Sequence, residues 1–234
     1  MGGGWVFFDA GETLVHPSPS FAELFSAILA REGHDRSPES VTDAARVVFH
    51  RFSEAARDQE LWTTSAERSR AFWSGVYEHM LEALELPGAD GVRDALYVEF
   101  TDPENYVLFD DVEPVLPMLR DAGFRLGIVS NFEGWLEDLL DILGIREAFP
   151  VRVISGVEGI EKPDRRIYEL ALERAGAEPG DSVFVGDNPE FDVDPPGALG
   201  MRTVLIDRRD RFPSHEGSRI SDLRQLPSVL GSDP

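Results

Sequence analysis

The 234-residue chain contains no cysteine, which removes disulfides, thiolate nucleophiles and cysteine-ligated zinc from consideration. Its five histidines form no HExxH-like pair, so any bound metal is expected to be held by oxygen, as a hard cation such as Mg²⁺ is. No apolar run approaches the ~18 residues that a membrane span requires, and the cytoplasm is the expected location. Positive charge is scarce: Lys and Arg total 22 against 44 Asp and Glu, for a formal charge of −22 and a pI near 4.5. Such a field repels nucleic acid and anionic membranes, so neither is expected as a partner. Lysine is nearly missing too, since all but one of the 22 basic residues are arginine. The exception, Lys162, is a candidate for chemistry that needs a compact ammonium rather than a planar fork.

What is present is enough for a sizeable core: 42% of residues are hydrophobic and 10% aromatic. Five short segments carry a strand signature of apolar, often β-branched residues: 5–8, 125–129, 151–154, 182–185 and 202–206. After the first, helical patterns separate each from the next, and this alternation predicts βαβ units and a parallel sheet of the α/β class. The gap between the first two segments exceeds a hundred residues. Within it, Ser18-Pro19 and Ser37-Pro38 each offer a cap followed by proline at a first helical position. Apolar residues recur there at helical spacing: Phe21, Leu24, Phe25, Ile28 and Leu29; Val48, Phe49 and Phe52; Phe72, Trp73, Val76, Tyr77, Met80, Leu81 and Leu84. An all-helical unit over about 16–104 is therefore expected, inserted into a core made of 1–15 and 105–234. The crossings near 15–18 and 102–106 are polar and proline-containing, as hinges can be. The tail from Asp207 is polar, with one helical candidate near 220–230.

Ligands of a doubly wound sheet bind beyond the carboxyl ends of its strands. The first segment ends on Asp9 in FFDAGETL, the second on Ser130-Asn131 in GIVSN. Lys162 follows the third in GIEKPD, and the fourth delivers Asp187 and Asp192 in VFVGDNPEFD. A carboxylate, hydroxyl and amide donors, an ammonium and further acids form the short inventory of phosphoryl transfer.

These four stretches, in this order, resemble the motifs of the haloacid dehalogenase superfamily, in particular its phosphatase-like members with a helical cap inserted after the first motif. The likeness runs over about residues 5–207 and implies a Rossmann-like doubly wound core under a helical cap. By that resemblance Asp9 is the nucleophile that forms an aspartyl-phosphate. Mg²⁺ is held by Asp9, the main-chain carbonyl of Gly11, and Asp187, with Asp192 as a further acid at the metal or on its waters. Ser130 and the Asn131 amide, at a helix start, bind the phosphate; Lys162 neutralises the charge on Asp9 and the phosphate; Thr13 braces the catalytic loop through its hydroxyl. The substrate it implies is a small phosphorylated metabolite and the assembly a monomer or homodimer. His16 lies just past the first motif and reads as a turn or hinge residue; Phe21, Phe25 and Trp73 are either cap core or the mouth of the site.

One position departs from the family. Its phosphatases carry a second aspartate two residues after the nucleophile, where this chain has Gly11. The metal contact survives, because it uses a carbonyl, but general acid and base catalysis worth ~10²–10⁴-fold is removed. Three readings follow: a specialised phosphatase in which Glu12 or a cap residue stands in or the leaving group needs no proton; a dehalogenase or phosphonatase type of C–X hydrolase; or an impaired, phospho-ligand-binding protein. Acids at Asp187 and Asp192 argue against halide displacement, which requires no cation, and a cap without lysine argues against a Schiff base. A smaller departure is Pro195-Pro196, where the family starts a helix, so the loop there is expected to shift.

Overall fold

The computed structural model describes residues 4–46 and 61–231. Strand β1 (Trp5–Phe8) lies in the middle of a six-stranded, all-parallel sheet with β4 (Arg125–Ser130), β5 (Val151–Ile154), β6 (Ser182–Gly186), β7 (Arg202–Ile206) and β8 (Arg219–Ile220), in the order β5-β4-β1-β6-β7-β8. Both faces are covered, which is why WVFF is continuously apolar rather than alternating. Val6 and Phe8 pack on one face with the helices Val112–Asp121 and Leu136–Ile142; Trp5 and Phe7 pack on the other with the helix Arg165–Ala175. The chain leaves β1 toward β4 and β5, then returns to pair β6 along the opposite side of β1. The order thus reverses beside Asp9, and such a switch point leaves a crevice at the strand ends.

The five expected strands are all present, each within a residue of its expected end. The sixth, Arg219–Ile220, was not expected, because two residues carry no periodicity. The tail helix is shorter than expected, Leu226–Gly231.

The insert is helical: Phe21–Arg31, Pro38–Ala44, Ala66–Ala83 and Asp90–Phe100, with a cluster of its own that includes Phe25, Leu29, Tyr77, Met80 and Leu96. The expected stripe at Val48, Phe49 and Phe52 lies outside the described residues. Ser37 caps the helix at Pro38 as expected, but the first helix is capped by Ser20, not Ser18. Ser20 Oγ accepts from the Glu23 amide at 3.2 Å and donates to the Glu23 carboxylate at 2.7 Å, a reciprocal arrangement that satisfies an orphan donor of the first turn. The two crossings into the insert pair with each other as antiparallel strands, β2 (Val15–Pro17) and β3 (Tyr106–Leu108).

The C-terminal segment is stapled to the loop after β1 by Arg208. Its guanidinium spans both oxygens of buried Asp111 at 2.7 and 2.9 Å and donates to the Thr13 carbonyl at 2.8 Å, while the Leu223 amide donates to Asp111 at 2.7 Å. Burial pushes the Asp111 carboxyl up, but Arg208 and the Leu223 amide outweigh it, and the group sits below its ordinary value. A depressed carboxylate contributes stability that is present above its unfolded pKa, near 4, and is lost as pH falls through the folded value. Asp111→Ala should therefore cost about 2–4 kcal/mol at pH 7, by leaving Arg208 largely buried without its partner, and the gap to wild type should close below about pH 4. Calorimetric unfolding from pH 7 to pH 3 measures both.

Candidate active site

Asp9 follows β1 directly, and its amide donates to the Val185 carbonyl at 2.9 Å, which ties the residue to the neighbouring strand end. The residue is 7% exposed. Oδ1 accepts from Ser130 Oγ at 2.9 Å and from Lys162 Nζ at 2.7 Å. The same ammonium donates to Asp192 Oδ1 at 2.6 Å, and Asp192 Oδ2 accepts the Asn188 amide at 3.0 Å. Burial alone would lower the Lys162 pKa, but the Asp192 and Asp9 carboxylates overcome it and hold the group charged, above its ordinary value. Asn131 fixes the backbone of Lys162 from both sides: its Oδ1 accepts the Lys162 amide at 2.6 Å and its Nδ2 donates to the Lys162 carbonyl at 2.8 Å.

Asp187, just past β6, pairs with Arg211 at 2.6 Å. Its carboxyl is pushed up to about 7 by burial, against the pull of Arg211 and with the Asp192 and Asp9 charges adding. Burial also raises Asp192, against Lys162. Oxygens of Asp9, Asp187 and Asp192 all lie within 4.8 Å of one another. Three carboxylates at this spacing, Asp9 and Asp192 buried and Asp187 partly buried, two of them raised, form a hard-oxygen site for which a divalent cation is the natural counter-charge. The Gly11 carbonyl accepts none of the hydrogen bonds that close the catalytic loop, which go to Ala10 and Val15 instead. The residues present therefore fit Mg²⁺. At Gly186 a Cβ would overlap the Asp192 carboxyl, so only glycine leaves that acid its place.

The structure gives these residues partners that the sequence did not show. Ser130 donates to Asp9. Asn131 precedes the nearest helix, Leu136–Ile142, by five residues and serves as a clamp on Lys162 rather than a helix start. Thr13 is fully buried, yet its hydroxyl has no hydrogen-bond partner among the described residues, so it does not brace the loop that way; Arg208 holds the loop through the Thr13 carbonyl. Asp192 spends both oxygens on Lys162 and Asn188. Pro195 and Pro196 are accommodated in the first turn of a short helix, Asp194–Ala198, after a wide turn at Pro189–Val193, where missing amides are harmless. Glu12 adopts φ 56°, uncommon for a residue with a side chain, and pairs with Arg209 at 2.9 Å. His16 packs on Phe109 with ring centroids 4.3 Å apart. Phe25 is insert core, whereas Phe21 and Trp73 line the cavity over Asp9.

Sequence reasoning missed two groups. Arg208, Arg209 and Arg211 follow β7 as a basic run in an acidic chain, which was the available signal, and each reaches the catalytic edge. Glu133 and Glu161 gave no such signal. Glu161, 3% exposed, accepts the Trp62 and Thr63 amides at 2.9 and 2.7 Å and the Thr63 hydroxyl at 2.6 Å. Glu133 accepts from Ser69 at 2.6 Å and Tyr97 at 3.2 Å. Two core carboxylates thus fasten the helical insert over the site.

A model of the haloacid dehalogenase-like hydrolases matches residues 5–200. The chain belongs to that family. It is 30% identical over 238 residues to haloacid dehalogenase-like hydrolase domain-containing protein 3 of Danio rerio, covering 97% of this chain and 96% of that protein. It is 32% identical over 179 residues to a phosphoserine phosphatase of Thermus thermophilus, covering 72% of each. The crystal structure of the HAD-hydrolase YfnB from Bacillus subtilis, bound to magnesium, superposes with a TM-score of 0.77 at 15% identity over 99% of this chain and 100% of that one, a likeness of fold alone. Within the described residues no helix is long and apolar enough to cross a membrane.

The clasp makes a checkable claim. Glu161→Ala should speed hydrogen exchange at the Trp62 and Thr63 amides by about tenfold or more, through loss of charge-assisted acceptors worth about 1.5–3 kcal/mol each. Exchange mass spectrometry should show the change there and leave β1 and β6 protected.

Proposed function

We propose that this member of the family is a Mg²⁺-dependent phosphatase acting on a small phosphate monoester through an aspartyl-phosphate on Asp9. The observation that carries the reading is the trio Asp9, Asp187 and Asp192, within 4.8 Å of one another, with Lys162 bonded to two of them. The charge balance supports it as well. Asp9, Asp187, Asp192 and Glu12 face Lys162, Arg209 and Arg211 at the cavity, so four acidic side chains meet three basic ones before a phosphate arrives with nearly two more negative charges.

Asp9, the Gly11 carbonyl and Asp187 would hold the cation, which when bound supplies Lewis-acid polarisation and charge neutralisation at the phosphoryl group. The chain's own residues do the rest. Ser130 and Lys162 grip Asp9 Oδ1 and set the carboxylate's angle, while Oδ2 receives no hydrogen bond among the described residues. One oxygen is thus restrained and the other available, a pre-oriented nucleophile. Asp192 keeps Lys162 charged and aimed, and Asn131 fixes its main chain. The helical insert, held by Glu133 and Glu161, screens the crevice from bulk water and strengthens every charge interaction inside it.

Gly11 leaves the acid and base position without a side chain. Glu12, the nearest carboxylate in sequence, is bound to Arg209. Gly11 has no positive φ, and a Cβ there would meet only Phe132 at 3.9 Å, ordinary contact. The loop can therefore take a side chain. Gly11→Asp should raise turnover of alkyl phosphates by about tenfold or more with Mg²⁺ affinity unchanged. Steady-state assays over a panel of esters, run beside Asp9→Asn, test the reading; a wild type without turnover on any ester would replace it with a binding role.

Asp187→Ala should weaken Mg²⁺ binding by at least about tenfold in titration calorimetry, because it removes one of the few anionic ligands. Equal affinity in variant and wild type would count decisively against the assigned metal site.

A further inference from the structure

The cavity over Asp9 has a volume of about 290 Å³, and its chemistry changes along its depth. At the floor stand the catalytic acids, Lys162 and two arginines. Above them the walls are aromatic. The insert contributes Phe21, Trp62, Trp73, Tyr77 and Phe100; the core contributes Tyr106, Phe132 and Trp135. The rings brace one another: Trp73 stacks on Tyr77 at 5.8 Å, Phe21 lies 4.9 Å from Phe100, and Trp135 stands 4.6 Å from Phe132 and 5.3 Å from Tyr106. Among the described lining residues, the insert presents no charged side chain. Among the described lining residues, every cation belongs to the core floor and already faces an acid: Lys162 on Asp9 and Asp192, Arg209 on Glu12, Arg211 on Asp187. Glu133, the one acid higher up, is engaged by Ser69 and Tyr97.

Among the described residues of the upper cavity, a substrate whose alcohol part carries a carboxylate, an ammonium or several hydroxyls would meet only groups already engaged, since Glu133 and the Thr63, Ser69 and Thr101 hydroxyls all have partners, and stripping its own groups of water would cost. A flat ring would meet faces and edges at stacking distance instead. Benzene occupies an apolar cavity of about 150 Å³, so the volume suits a ring with a phosphoryl group attached. A second, independent observation points the same way. With Gly11 in the acid position, the leaving oxygen departs without a proton donor at that site. An alkoxide is then a poor leaving group, whereas a phenolate, conjugate to an acid of pKa about 10, leaves unaided far more readily.

We propose that the site takes phosphate monoesters of uncharged phenols, with the ring between the aromatic walls of insert and core and the phosphoryl group on the floor. This rests on the phosphatase reading above. In the first step an Asp9 oxygen forms a bond to phosphorus, the phosphorus–oxygen bond to the ring breaks, and the phenolate leaves with the electron pair and takes a proton from water. In the second a water oxygen attacks phosphorus, the phosphorus–oxygen bond to Asp9 breaks with its electron pair left on Asp9 as carboxylate, and inorganic phosphate departs carrying the water's protons.

The test separates binding from turnover. Asp9→Asn with Mg²⁺ is titrated calorimetrically with phenyl phosphate, cyclohexyl phosphate, glycerol phosphate and inorganic phosphate; wild type is assayed on the three esters. Phenyl phosphate should bind about tenfold tighter than either other ester and be the best substrate. Trp73→Leu, which keeps apolar bulk and removes the ring face, should erase most of that preference while leaving inorganic phosphate affinity and the melting temperature near wild type. Should Trp73→Leu fail to fold, Phe21→Leu serves the same comparison. Tight, ring-selective binding with no turnover of any ester would uphold the pocket assignment and overturn the phosphatase reading. Turnover with no preference for phenyl phosphate, in binding or in rate, would overturn the substrate class and leave the phosphatase reading standing. No binding of phenyl phosphate at all overturns the proposal.

Discussion

The ammonium of Lys162, 3% exposed and shared between Asp9 and Asp192 at 2.7 and 2.6 Å, is the contact on which the rest of the site depends. Two carboxylates this deeply buried need it, since the cost of removing acids from water is repaid only by close opposite charge and good hydrogen bonds. A compact head suits a place with an acid on each side. The chain's other basic residues are arginines, used where a planar fork can reach across a gap, as Arg208 does to both oxygens of Asp111. The surrounding features make sense as supports for that ammonium: Asn131 gripping its backbone, Ser130 sharing Asp9 Oδ1, and Gly186 leaving space for the Asp192 carboxyl.

The same rule, that a buried acid must find donors from another part of the chain, also joins the insert to the core. Glu161 is the neighbour of Lys162 in sequence but faces the other way, into the amides of Trp62 and Thr63. Burial raises its pKa, against the Thr63 hydroxyl and the two amides that favour the ionised form. Consecutive residues of one loop therefore organise the catalytic floor and the closure above it. Charge does the fastening while apolar rings shape the space between, so the closure and the pocket's selectivity rest on different residues.

Net charge has a different meaning here from the one the bulk number suggests. A chain at −22 repels polyanions at long range, yet at the cavity floor the balance is close to neutral because Lys162, Arg209 and Arg211 gather there. Screening at physiological salt limits the global field to about 8 Å, so a small phosphate ester that enters the crevice meets the local arrangement.

How much was legible follows from what each feature depends on. The parallel sheet was, because strands buried on both faces must read as continuous apolar runs, and WVFF, RLGIVS and SVFVG do so. Asp9, Ser130, Lys162, Asp187 and Asp192 were too, since backbone topology alone delivers residues at strand ends to one edge. The insert's helices showed in their periodicity and in the Ser37 cap, though not in the cap of the first helix. What the sequence left open was set by side-chain partners distant in the chain. Nothing local says that Asn131 clamps Lys162, that the Thr13 hydroxyl finds no partner among the described residues, or that Glu133 and Glu161 hold segments 36 to 99 residues away. Nor could it separate Phe21 and Trp73, which face the cavity, from Phe25, which fills the insert's core, because all three obey the same helical spacing. Periodicity and strand ends are properties of the chain; which ring faces a neighbour and which faces a ligand is decided only when two layers pack.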